Sequence, residues 1–125
     1  MGQEEQWIRQ ATEDLTSAEY NLQGKRLDVA ALCAHKSAEL ALKAVLIHQT
    51  GKLLKIHDLL RLATEVKAPD AIQTSCKLLN PIYIETKYPF SLEKKIPFER
   101  FSIKDVKELI AAGKEVLRWA SQNLN

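Results

Sequence analysis

Apolar residues recur along this chain at helical rather than extended intervals. At ~100° per residue, Trp7, Ile8, Ala11, Leu15, Ala18 and Leu22 fall on one stripe, which predicts a helix from about Glu4 to Gln23, ended by Gly24. A second helix is predicted from about Asp28 to Gln49, with Asp28 as its N-cap and Gly51 as its C-terminal stop. Its small and apolar residues, Ala30, Cys33, Ala34, Ser37, Ala38, Leu40, Ala41, Ala44 and Val45, cover more than half of its circumference. Such a helix has to be surrounded by others. What remains is a narrow polar strip of Lys36, Glu39 and Lys43, within ~60° of one another by helical geometry.

After a connector from Gly51 to Ile56, Asp58 caps a short helix that turns Leu59, Leu60, Leu62, Ala63 and Val66 inward. The chain turns at Lys67 to Asp70, and Pro69 suits the first turn of a further helix. Its stripe is Ala71, Ile72, Ser75, Cys76, Leu78, Leu79, Ile82 and Tyr83. The stripe keeps phase across Pro81, so one kinked helix is expected there rather than two. Phe90 to Phe101 has no period and reads as a loop pinned by aromatics. Ser102 and Asp105 have the spacing of a capping box for a last helix, whose stripe is Ile103, Val106, Leu109, Ile110, Gly113, Val116, Leu117 and Ala120. No segment alternates as a strand would. The expected fold is all-α: a single domain over residues 1–125, an up-and-down four-helix bundle with an additional short helix.

A chain of 125 residues can bury roughly two thirds of its unfolded surface, enough for a core without metal or disulfides. A formal net charge of +2 does not demand a polyanionic partner, so any such site must come from local clustering. Cys33 and Cys76 lack metal-ligand spacing and read as small buried apolar groups. The longest apolar run, Val29 to Ala34, is far short of a membrane span, and the acidic start MGQEEQW has no signal-peptide order; a cytoplasmic protein is expected.

The candidate chemistry is sparse. Lys36, Glu39 and Lys43 set one acid between two bases, an arrangement suited to a phosphate-bearing ligand or to proton transfer, and equally to a solvated face with Glu39 paired to Lys43. His57 beside Asp58 at a helix start could meet an anionic group, or could simply flank a cap. Lys104, Lys107, Lys114 and Arg118 form a row on the last helix, offset by Asp105, Glu108 and Glu115. Trp119 falls on that helix's polar side, which suggests an interface or a cover for a loop. Nucleophile elbows, phosphate loops, zinc-protease helices and paired-carboxylate motifs are absent, so no catalytic residue, cofactor or metal is assigned.

In order and spacing, several pieces resemble the HEPN domain family, helical proteins associated with minimal nucleotidyltransferases. They are Trp7 with Ala11, Asp14-Leu15 and Ala18; Ser37-Ala38-Glu39-Leu40-Ala41-Leu42-Lys43-Ala44; His57-Asp58-Leu59; and Tyr83 followed by Lys87-Tyr88-Pro89. The resemblance implies a helical bundle, homodimerisation, and binding of nucleotides or RNA. It also implies partnership with a nucleotidyltransferase in prokaryotic toxin-antitoxin pairs. Many relatives are metal-independent ribonucleases that use an Arg followed, after four to six residues, by a His. This chain lacks that motif: Arg26 is separated from His35 by eight residues, and only Lys43 and Lys52 precede His48 and His57 at the right interval. Lysine does not offer arginine's planar fork to a phosphate. Lys87 likewise stands where many relatives have Arg.

The expectation is therefore a non-catalytic homodimer that binds a nucleotide or RNA, or docks on a nucleotidyltransferase. Its ligand-binding candidates are Lys36, Glu39, Lys43, His57, Asp58, Lys87 and Tyr88. A ribonuclease with an altered site around His57 and a lysine, and a purely structural interaction module, are the alternatives. Dimerisation is expected from the small-residue face of the second helix and from Trp119.

Overall fold

A computed structural model describes residues 2–89 and 95–124. Within them the chain forms helices α1 (Gln3–Gln23), α2 (Leu27–Thr50), α3 (Leu59–Glu65), α4 (Asp70–Leu79), α5 (Ile82–Glu85) and α6 (Ile103–Gln122), with one 3-10 turn at Pro97–Glu99. No strand occurs among the described residues.

The direction of each helix follows from its contacts. Glu4 meets His48, and Ser37 Oγ donates to the Ala11 carbonyl at 2.7 Å, so α1 and α2 run antiparallel. Glu19 pairs with Lys114, while Glu4 and Glu5 share a groove with Ser121 and Leu124, so α6 also opposes α1. Leu78 at the end of α4 lies beside Asp105 and Glu108 at the start of α6. The result is an up-and-down bundle of α1, α2, α4 with α5, and α6, to which α3 adds a short flank.

Helix α2 is its axis, touching every other helix and the 3-10 turn. Ala30, Ala31, Ala34, Ala38, Ala41 and Ala44 are all fully buried along it, and their short side chains admit close neighbours. Gly113 of α6 takes this furthest: a Cβ there would stand 3.2 Å from Leu15 Cδ2 and 3.3 Å from the Ala34 carbonyl oxygen. Larger groups fill the rest. Leu42, Leu59, Leu62, Leu79, Val106 and Val116 are fully buried, each leucine contributing roughly 1.5–3 kcal/mol by leaving water.

Most predicted boundaries hold, with instructive exceptions. Asp58 caps α3, accepting from the N–H groups of Leu60 and Arg61, and Ser102 with Asp105 closes the predicted capping box at 3.0 Å in both directions. Gly51 ends α2 in the left-handed conformation, φ 71°, and Cys76 is buried. Asp28 is not a cap. Helix α2 starts earlier, after Arg26, because Lys25 takes the left-handed turn (φ 59°) and the N–H groups of Lys25 and Arg26 bond back to Leu22 and Asn21. Two helices replace the single kinked one at Pro81. Proline supplies no N–H to the ladder, so α4 stops at Leu79 and α5 restarts at Ile82, although the backbone of Asn80 and Pro81 stays right-handed.

Three stripe positions, Ala71, Leu78 and Ile103, are exposed, each near an end of its helix. Cys33 is half-buried rather than buried. Trp119 is not purely a surface residue: its wide indole reaches back to pack against the core. In the segment expected to be a loop, Pro97–Glu99 makes the 3-10 turn, Phe101 enters the core, and Phe98 carries the Arg26 guanidinium 4.6 Å from its ring centre. Phe90 lies outside the described residues.

Candidate ligand site

The flank where α2 faces α3 and α5 gathers side chains from three separate stretches of chain. Helix α2 supplies His35, Glu39 and Lys43, which share one face at four-residue intervals. The connector before α3 supplies His57, and α5 with the turn after it supplies Tyr83 and Lys87. Their meeting point is the half-buried ring of Tyr83. His57 stacks on it with centroids 4.1 Å apart and planes 16° off parallel. His35 tilts beneath it at 5.6 Å. Lys87 Nζ lies 4.2 Å from the ring centre and donates to the Tyr83 hydroxyl at 2.9 Å.

Glu39 ties the cluster to α2. Lys43 Nζ donates to its Oε2 at 2.9 Å, and His57 Nδ1 stands 2.9 Å from its Oε1. Glu39 and Lys43 are both buried, so removing either alone would leave an uncompensated charge, a loss of about 3–5 kcal/mol. His35 is fully buried with no hydrogen-bond partner on either ring nitrogen, and burial pushes its pKa down to about 4. It is neutral at ordinary pH. The hydrogen bond to Tyr83 raises the pKa of Lys87, which keeps a firm positive charge at the exposed rim. Half of the His57 side chain is open to solvent, as are Lys87 and Tyr88.

Asp58 is already engaged: its Oδ1 accepts from the N–H groups of Leu60 and Arg61 and from Asn80 Nδ2, while Asn80 Oδ1 accepts from the Leu59 N–H. These bonds lock the start of α3 to the end of α4. Lys36 stands apart, exposed; burial raises the carboxyl pKa of Asp14 on α1, and the Gln10 hydrogen bond and the Lys36 charge offset only part of that. In the cationic row of α6, Lys114 pairs with Glu19 and Arg118 with Glu115. A groove of about 460 Å³ is lined by Gln6, Ile8, Arg9, Gln10, Thr12 and Glu13, all of one helix, and has no buried titratable group. No group of three or more metal-ligating side chains occurs among the described residues.

A model of the HEPN domain matches residues 4–124. The chain belongs to the HEPN family. It is similar to the crystal structure of an archaeal HEPN homologue, with a TM-score of 0.86 and 28% identity over 100% of both chains. A second similar structure is that of TT1696 from Thermus thermophilus, with a TM-score of 0.89 and 25% identity, covering 99% of this chain and 100% of that one. An HEPN domain protein from Thermotoga maritima shares the fold at a TM-score of 0.73 and 20% identity, over 95% and 97% of the two chains. No curated protein matches.

In this HEPN chain the bundle brings together Glu39, Lys43, His57 and Lys87, leaves Lys36 outside, and uses Asp58 as a cap. Sequence reasoning passed over two members of the cluster, His35 and Tyr83, as site residues. His35 carried a readable signal, standing four residues before Glu39 on a helix otherwise lined with alanine. Tyr83 carried little, since its stripe reads as core. No helix among the described residues is long and apolar enough to cross a membrane.

Proposed function

We propose that this HEPN protein is a non-catalytic homodimer that binds the phosphate of a nucleotide or RNA, or docks as a partner subunit on a minimal nucleotidyltransferase of the toxin-antitoxin type. The observation that carries the ligand reading is the convergence of Lys43, Glu39, His57 and Lys87 around Tyr83 from three separate segments. An exposed lysine next to stacked rings matches what a nucleotide presents, an anionic phosphate joined to a base with a π-face. Tyr88, 60% exposed one residue beyond Lys87, adds a second aromatic at the rim. Lys43 is neutralised by Glu39, so Lys87 and the outer face of His57 supply the contacts. For the nucleotidyltransferase partner the only support is the family.

Calorimetric titration with ATP, GTP and short single-stranded RNA tests the reading. Saturable binding is expected, with Lys87→Ala weakening it about tenfold, near 1.4 kcal/mol. Absence of binding to all three, together with failure to copurify with a nucleotidyltransferase, overturns it.

One observation favours a second reading, a ribonuclease with an altered site: a carboxylate 2.9 Å from Nδ1 braces His57 as it would a general base. RNA left intact by the purified protein, or cleaved equally by His57→Ala, removes that reading.

A further inference from the structure

Each oxygen of the Glu39 carboxylate has its own partner. Oε2 receives the Lys43 ammonium and Oε1 faces His57 Nδ1, both at 2.9 Å. A carboxylate in such an ion pair only accepts hydrogen bonds, so the proton of the second contact has to sit on Nδ1 of His57. His35 is no competitor, because its Nδ1 lies 3.9 Å from the same oxygen, beyond hydrogen-bond length. The plane of the His57 ring is set independently by its stacking on Tyr83. Tautomer and orientation are thus determined by two different neighbours.

We infer that Glu39 is a positioning residue for His57: it holds the imidazole with its hydrogen on Nδ1 and leaves the Nε2 lone pair as an acceptor on the exposed part of the ring. This rests on the ligand-binding reading above and narrows it. In that tautomer Nε2 accepts rather than donates, so the group it calls for on the ligand is a donor such as a sugar hydroxyl, near the anionic group that Lys87 attracts. Lys43 belongs to the device as the cation that holds the carboxylate as an acceptor.

Nitrogen chemical shifts of the isotopically labelled full chain test the positioning directly, at a pH where the His57 ring is seen to be neutral. The expected pattern is a protonated Nδ1 and an unprotonated Nε2. Replacing both members of the buried pair with leucine, Glu39→Leu with Lys43→Leu, removes the brace without stranding a charge, and the expected result is the tautomer mixture of an unconstrained imidazole. A proton on Nε2 in the wild-type chain overturns the inference whether or not the double variant folds, as does an unchanged tautomer in a folded double variant.

The donor requirement is read from a short oligouridylate and its deoxyribose counterpart, which differ only in the sugar hydroxyl. Affinity for the ribose form is expected to be about tenfold higher in the wild type and about equal to the other in the double variant. Equal affinities in the wild type overturn the donor requirement. Binding of neither oligonucleotide overturns the donor requirement, while the titrations with ATP and GTP still decide the proposed function and the tautomer measurement the role of Glu39.

Discussion

His35 has both ring nitrogens without partners in a fully buried setting, so its protonation works against folding. An unfolded histidine titrates near 6.5, whereas burial holds the folded one at about 4. Above pH 6.5 both states are neutral and the group is silent. As pH falls from 6.5 to 4, the unfolded chain takes up a proton that the folded chain refuses, and stability drops by roughly 3 kcal/mol. Urea midpoints measured between pH 7 and pH 4 are expected to fall with this slope, and His35→Leu should flatten it. At neutral pH that variant should be at least as stable as wild type, since it removes two unsatisfied polar atoms from the core. A parallel fall in the two proteins would mean that other groups carry the acid response. Glu4 and Asp105, whose pKa values are lowered chiefly by hydrogen bonds from backbone N–H groups, bring a smaller loss at lower pH that both proteins share.

At the scale of elements, the joints carry the specificity. Helix α6 approaches α2 closely at Gly113, where a Cβ would crowd Leu15 and the Ala34 carbonyl. Gly113→Ala gains about 1 kcal/mol of helix propensity but pushes on a backbone oxygen 3.3 Å away, so a change near zero is expected. Gly113→Val has no such compensation and should cost about 2–3 kcal/mol, read as a lower thermal midpoint. Asp58→Ala removes the cap of α3 and the acceptor of Asn80 Nδ2, and a loss of about 1–2 kcal/mol is expected in the same assay. Because Asp58 commits its carboxylate to these bonds, ligand affinity should hardly change. The caps at Asp58 and Ser102 were legible in sequence, since a cap is a contact between near neighbours in the chain. The start of α2 was not, because it hangs on Lys25 adopting a left-handed turn that glycine would have signalled. Pro81 misled in a related way: the stripe kept its phase, yet hydrogen bonding did not.

For the whole molecule, assembly has a direct measurement. The proposed homodimer should appear in light scattering as twice the 14.2 kDa of the chain, and a monomer mass at micromolar concentration would overturn it. By itself the sequence determined the helical class, the central place of α2, the buried leucines and alanines, and the family, because periodicity and composition act through near neighbours and burial. Only the tertiary structure decided which polar residues form a site. Lys36 and Glu39 are three residues apart in sequence, but one faces Asp14 while the other holds His57. Residues 39, 57 and 83 converge because α5 and the connector fold back across α2, and no local pattern encodes a contact made across 18 residues, as between Glu39 and His57, or across α3 and α4, as between His57 and Tyr83.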